Sequence, residues 1–189
     1  MNIANQLTFL RIILAFLCIG FILGNTFSSI LFAFGIFIVA SLTDFFDGLL
    51  ARKKNTITDL GKILDPIADK ILIIGVFLAF LQLDIVVNAW MVSVIMLREF
   101  IITGMRLSNL NKGEVLEAKR WGKHKTVSQI AAIILIFLSL LLSMKFPRNE
   151  FIAFLYTKVT YVIMWYVVAV TLFSGVYYFW VNRRSIKTF

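Results

Sequence analysis

Four of the ten acidic residues in this 189-residue chain, Asp44, Asp47, Asp65 and Asp69, fall into one motif. It reads D44-F-F-D47-G48-L-L-A51-R52, then eight residues, then G61-K-I-L-D65-P-I-A-D69. Carboxylates held together repel and take up protons unless something positive neutralises them. No histidine or cysteine stands in the motif, so its hard oxygen ligands suit Mg²⁺ or Mn²⁺ rather than structural zinc. Four acidic side chains suffice for a pair of such ions, the arrangement that clamps the entering and leaving oxygens in phosphoryl transfer. A carboxylate at a helix centre in lipid costs roughly 2.5–3.5 kcal/mol. A membrane chain that keeps four together therefore has a use for them.

Two helices must position these residues. At about 100° per residue, Asp44, Asp47, Gly48 and Ala51 share one helix face. Gly61, Asp65 and Asp69 advance by four each time and share a face of the next helix. The eight-residue link lets the two helices lie antiparallel with these faces opposed. Gly48, Ala51 and Gly61 leave room for a flat or bulky group to approach the backbone, although close helix packing in a membrane uses the same small residues. Arg52, one turn beyond Gly48, is placed to hold a phosphate.

The surrounding sequence is that of a membrane protein. It is 60% apolar with a mean hydropathy of +0.91, well beyond a soluble composition. Apolar runs recur along the whole length, which predicts a single all-α integral membrane domain over 1–189. Six segments are long enough to span a bilayer: 7–24, 29–51, 62–82, 85–108, 122–144 and 151–181. The predicted connections are short, with a turn at 24–28, a polar loop at 53–60, a minimal link at 82–83, a charged loop at 108–120 and a Pro147-containing link at 145–150. No internal repeat or low-complexity segment appears. The run 12–23 has the length of a signal-peptide core, but Met1 to Gln6 carries no charge and Gly24-Asn25-Thr26-Phe27 is a poor cleavage site. It reads as a retained first membrane helix.

With the N-terminus inside, sixteen of the nineteen basic residues fall at cytoplasmic ends, and only Lys145, Arg148 and Lys158 fall outside. That asymmetry predicts cytoplasmic termini and a cytoplasm-facing active site. The net charge of +9 follows from the same bias and favours anionic lipid. The basic residues flank membrane segments and form no separate basic domain, so nucleic acid is not an expected partner. The lone cysteine, Cys18, lies in an apolar run and is read as a space-filling residue.

The motif D44-x2-D47-G48-x2-A51-R52-x8-G61-x3-D65-x3-D69 resembles the signature of the CDP-alcohol phosphotransferases at every fixed position. The resemblance implies a six-helix membrane enzyme that cleaves the pyrophosphate of a CDP-linked lipid or alcohol. The phosphoryl-bearing half passes to an acceptor hydroxyl and CMP is released. It further implies that Asp44, Asp47 and Asp65 hold two divalent cations, Mg or Mn, and that Asp69 is both ligand and general base. Gly48, Ala51 and Arg52, with Gly61 and Asp44, would frame the CDP moiety, and a homodimer is expected.

Outside the core motif, N5-Q-L-T8-F-L-R11, L64-D65-P66-I67-A68-D69-K70, L97-R98-E99-F100, G104-M-R106 and G122-K123-H124-K125-T126 resemble one bacterial branch of that family. The branch joins CDP-diacylglycerol to sn-glycerol 3-phosphate, which implies a place in the bacterial inner membrane. Such an acceptor is a dianion and needs a basic pocket. Arg98 and Arg106, near the cytoplasmic end of the fourth helix, and Lys123 and Lys125, at the start of the fifth, are the candidates; interfacial snorkelling would place them there too. Asn5, Thr8 and Arg11 are placed to cap the first helix and also to touch the nucleotide. Glu99 either orients Arg98 or neutralises it. His124, the single histidine, sits at a basic loop-to-helix junction, and Gly20-x3-Gly24 suits close helix packing. Two alternatives stand beside this reading. One is the same fold with another acceptor, such as inositol phosphate. The other is a divalent-cation transporter, which should carry acids near mid-bilayer and often an inverted repeat; the sequence shows neither.

Overall fold

The computed structural model describes the backbone of residues 3–54, 59–110 and 120–186; the side chains of 3–5, 7, 44–54, 59–66, 69, 106–110, 120, 121, 123 and 184–186 lie outside the described residues. The described residues form six helical rods and no strand. They are α1 (Ile3–Leu23), α2 (Phe27–Lys54), α3 (Asp59–Gln82), α4 (Ala89–Leu110), α5 (Arg120–Lys145) and a sixth rod. That last rod runs through α6 (Glu150–Phe154), a π-helical turn (Leu155–Val159) and α7 (Thr160–Ile186). Each of the six expected segments is a rod.

The ends of the rods differ from expectation for local reasons. Residues 53, 54, 59 and 60, expected in a loop, are helical. The α2 end is built from Leu, Ala, Arg and Lys, all good helix formers, and Asp59 opens α3 where the helix dipole favours an acid. The α3–α4 connection is longer than the minimal link expected. Asp84 (φ 51°) and Val86 (φ 52°) take left-handed backbone. The Ile85 N–H donates to the Phe80 carbonyl at 2.9 Å and the Asp84 N–H to the Leu81 carbonyl at 3.1 Å, so α3 closes in a Schellman motif with Asp84 in the position glycine usually fills. A β-branched residue at positive φ is strained, and buried Ile85 and Val87 on either side hold Val86 there.

The α1–α2 corner uses the same devices. Asn25 (φ 46°) stops α1. Thr26 and Ser29 then cap α2 reciprocally: the Ser29 N–H donates to Thr26 Oγ1 at 3.2 Å and the Thr26 N–H to Ser29 Oγ at 2.9 Å, a capping box with serine in place of the usual acid or amide. Asn149 Oδ1 caps α6 by accepting the Ile152 N–H.

The core draws on all six rods, and its aromatic cluster lies between α2, α3 and α5. Phe137 of α5 is its hub, with ring centroids 5.5 Å from Phe34, 6.0 Å from Phe37 and 5.1 Å from Phe80. α1 packs against both α2 and α3, and α7 packs against α4 and α5. In lipid, helices associate through close contact rather than hydrophobic exclusion from water. The expected close approach at Gly20 is absent, since a Cβ there would meet nothing within 4 Å. The tight crossing is at Gly75 of α3, where a Cβ would lie 2.5 Å from Cδ1 of Ile19 on α1. Cys18 is buried, and its thiol donates to the Ala33 carbonyl at 3.4 Å, so it belongs to this packing.

The outside of the bundle is apolar. Phe16, Phe32, Val162 and Val176 are each more than 60% exposed, a surface that water would not tolerate over such an area. Two helices, His124–Lys145 and Glu150–Arg183, are long and apolar enough to cross a membrane, and Thr8–Leu23, Phe27–Thr43 and Lys70–Gln82 form shorter apolar helices. Where α4 and α7 begin, Trp90 and Trp165 lie with ring centroids 4.8 Å apart and Tyr161 packs edge-on to Trp165. Amphipathic rings of this kind favour the headgroup level.

Candidate active site at the polar end of the bundle

The buried stripes of α1, α4, α5 and α7 each take in polar residues toward one end of the bundle. On α1 the stripe runs Ile22, Cys18, Ala15, then Arg11 and Thr8, all at most 2% exposed. On α4 it runs Met91, Val92, Ile95, then Glu99. On α5 it runs Ile136, Ile133, Ala132, then Gln129 and Lys125, and on α7 Met164, Val167, Val168, then Thr171 and Ser174. Consecutive rods alternate in direction, so these polar stretches gather at the end where α1 starts and α2 stops. Burying such groups without partners costs roughly 1–3 kcal/mol each, so a polar layer at one end of a bundle marks a site rather than a core.

The helical backbone of α2 and α3 includes the positions of the acidic motif. On α2, Ile30, Ala33, Phe37 and Ala40 are fully buried, and positions 44, 47 and 51 continue that spacing of three and four. On α3, Ala68, Leu72 and Val76 are buried; Asp65 stands three residues before Ala68, and Asp69 three before Leu72. Lys54 and Asp59 are five peptide steps apart, a span of at most roughly 18 Å, so the two acidic segments flank one corner. The side chains of Asp44, Asp47, Gly48, Ala51, Arg52, Gly61, Asp65 and Asp69 lie outside the described residues, as do those of Asn5, Arg106 and Lys123. Among the described residues no group of three His, Cys, Asp or Glu could hold a metal ion. The donor set that the motif offers in register with the buried stripes consists of carboxylates alone, which fits Mg²⁺ or Mn²⁺.

The described part of the site is an ion cluster. Glu99 Oε1 accepts hydrogen bonds from Lys125 Nζ and from Arg98 Nη1, the latter at 3.4 Å. The three side chains are 10%, 6% and 11% exposed respectively. Lys70 of α3, the residue after Asp69, acts on both Glu99 and Lys125 through its charge. The stem of Arg98 crosses α7 at Gly175, where a Cβ would lie 3.3 Å from Arg98 Cγ. One carboxylate thus accepts from two cations of different helices in a nearly dry setting. One turn along from this cluster, Gln129 Nε2 and Thr171 Oγ1 are buried with no hydrogen-bond partner among the described residues.

Two of the four basic candidates, Arg98 and Lys125, are therefore brought together, although they come from different helices. Glu99, whose role the sequence left open, is what joins them. Thr8 and Arg11 do not cap α1, because the helix has already begun at Ile3; both are buried in the polar layer. His124 is exposed. Gln129, Thr171 and Ser174 were not among the expected site residues. Gln129 had one usable signal, a polar side chain within an apolar run one turn from Lys125.

Comparison with known proteins identifies the class. Residues 1–173 match the family model for CDP-alcohol phosphatidyltransferase, and the chain belongs to that family of transferases. Among its relatives, CDP-diacylglycerol–glycerol-3-phosphate 3-phosphatidyltransferase of Bacillus subtilis is 42% identical over 153 residues, 81% of this chain and 74% of the relative. The protein of the same name from Rickettsia typhi is 33% identical over 189 residues, 100% of this chain and 98% of its own length. A probable phosphatidylglycerophosphate synthase of Mycobacterium tuberculosis is 41% identical over 142 residues, 74% of this chain and 67% of the relative.

Proposed function

We propose that the chain transfers the phosphatidyl group of CDP-diacylglycerol to sn-glycerol 3-phosphate, giving phosphatidylglycerophosphate and CMP. The observation that carries this reading is end-to-end similarity to relatives bearing that name. In the reaction a free hydroxyl oxygen of glycerol 3-phosphate bonds to the phosphorus next to diacylglycerol. The pyrophosphate bridge to that phosphorus breaks, and CMP leaves with the bridging oxygen. Asp69 accepts the hydroxyl proton. Such a transfer depends mainly on alignment and charge neutralisation.

Each group of residues has a part. Asp44, Asp47, Asp65 and Asp69 hold two divalent cations, Mg or Mn, which when bound neutralise the pyrophosphate. Gly48, Ala51, Gly61 and Arg52 accept the CDP moiety, with Asn5 and Thr8 beside it. Arg98 and Lys125, with Arg106 and Lys123, bind the acceptor phosphate; the convergence of Arg98 and Lys125 on Glu99 supports that assignment. The six rods all span the bacterial inner membrane with both termini cytoplasmic, which places the polar end at the cytoplasmic surface where soluble acceptor arrives. The distribution of basic residues supports this topology. The family resemblance supports a homodimer.

Incubating purified protein with CDP-diacylglycerol, Mg²⁺ and labelled sn-glycerol 3-phosphate tests the assignment. The label moves into the lipid phase as phosphatidylglycerophosphate. Label that stays in the aqueous phase while the protein is folded and binds CDP-diacylglycerol refutes the choice of acceptor.

A further inference from the structure

We infer that Gln129 and Thr171 form a hydroxyl subsite of the acceptor pocket, which takes the non-reacting hydroxyl of glycerol 3-phosphate. The inference rests on the acceptor reading above and names the residues that tell this acceptor from a phosphoalcohol without a middle hydroxyl.

Two orphaned groups carry it. Gln129 is 1% exposed and Thr171 is fully buried. Nε2 of the one and Oγ1 of the other have no hydrogen-bond partner among the described residues. Folded proteins rarely leave such groups unpaired, because each is desolvated with nothing gained. Thr171 also differs from its neighbours. Every other Ser or Thr with a described side chain on α5 and the sixth rod turns its hydroxyl onto the carbonyl three or four residues before it. That is where a helical hydroxyl rests when it has no other use. The Thr171 hydroxyl is turned away from that bond.

The placement of the two residues suits an acceptor. α5 runs away from the polar end and α7 runs toward it. Gln129, four residues after Lys125, and Thr171, four before Gly175, therefore both lie about 6 Å deeper than the level where Lys125 bonds Glu99 and the Arg98 stem crosses Gly175. α5 and α7 pack against each other, so the orphans occupy one level of two touching helices. The pair is uncharged, with an amide donor on one side and a hydroxyl on the other. An alcohol oxygen can accept from Gln129 Nε2 while its proton is donated to Thr171 Oγ1. With the phosphate at the level of the cations, a three-carbon backbone reaches one turn deeper. The terminal hydroxyl is the less hindered nucleophile, which leaves the middle hydroxyl for this pair.

The test compares kcat/KM for sn-glycerol 3-phosphate and for 3-hydroxypropyl phosphate, which lacks only the middle hydroxyl. CMP release by the purified full-length protein with CDP-diacylglycerol and Mg²⁺ is the readout. The parent should prefer glycerol 3-phosphate by roughly 10-fold to 100-fold, because the analogue leaves buried polar groups unpaired. Gln129→Leu and Thr171→Val should each cut that preference to about threefold or less, by slowing glycerol 3-phosphate and leaving the analogue within about twofold. Thr171→Ser, which keeps the hydroxyl, should retain the parental preference. A merely structural role would slow both acceptors equally and keep their ratio; that result overturns the inference, as does a parent that uses both acceptors alike. If Gln129→Leu does not purify as a folded protein, Thr171→Val decides by the same ratio. Turnover of glycerol 3-phosphate with an unmoved ratio refutes the subsite and leaves the acceptor reading standing. No turnover of either acceptor by the folded parent refutes the acceptor reading and the subsite with it.

Discussion

Gly75 and Ile19 mark the closest crossing of α3 and α1: a Cβ on Gly75 would sit 2.5 Å from Cδ1 of Ile19. That contact sets how α1, with Thr8 and Arg11 buried at its polar end, lies against α3, with Asp65 and Asp69 at its start. Gly75→Ala adds overpacking of about 1–3 kcal/mol, offset by about 0.5–1 kcal/mol of helix propensity. Ile19→Val removes the offending methyl. The expected result is a lower melting temperature for Gly75→Ala alone and recovery in the Ile19→Val background. Strict additivity in that cycle would show that the two residues do not touch.

Removal of the proposed base and of one proposed cation ligand should separate. Asp69→Asn loses turnover by about 10²–10⁴-fold, the usual worth of a positioned base, or more if the change also weakens cation binding, with the melting temperature retained. Asp44→Asn weakens Mg²⁺- or Mn²⁺-dependent binding of a CDP nucleotide, read by calorimetry without turnover. Near-parental turnover in Asp69→Asn contradicts the base assignment.

Gln129 offers a stability test of the polar layer. Its Nε2 is buried without a partner among the described residues, so the amide carries a desolvation cost of about 1–3 kcal/mol. Gln129→Leu should leave the thermal stability in detergent equal to or above that of the parent. A clear fall would mean that the amide is bonded in the folded protein.

Topology can be read by cysteine labelling, because the single native thiol is silent. Cys18 is fully buried and bonded to the Ala33 carbonyl, so it should resist maleimides until the protein unfolds. Arg148→Cys, in the link between α5 and α6, should react with an impermeant maleimide in intact cells. Arg183→Cys, near the end of α7, should react only after lysis. The reverse pattern would invert the orientation.

The rods were legible in the sequence because each is a long apolar run, and the acidic motif was legible because its spacing has a helical period. Their ends were less so. Nothing in Leu83-Asp84-Ile85-Val86 announces two left-handed residues, one of them β-branched. The faces were also hidden. Lipid-facing and inward-facing residues are both apolar, so periodicity does not tell Phe16 (63% exposed) from Ala15 (fully buried). For the same reason Gly20 looked like the packing glycine and Gly75 did not. The tie between Glu99 and Lys125, 26 residues apart, is a tertiary contact that no local pattern encodes.

The central claim is transfer from CDP-diacylglycerol to a phosphorylated glycerol at the polar end of the bundle. Its most direct test is the initial rate of CMP release by the purified protein with CDP-diacylglycerol and Mg²⁺, measured with sn-glycerol 3-phosphate, with inositol phosphate and with no acceptor. The account predicts CMP only with glycerol 3-phosphate, abolished by chelation and restored by Mg²⁺ or Mn²⁺. CMP released as fast with inositol phosphate, or none with any acceptor from a folded preparation, would contradict it.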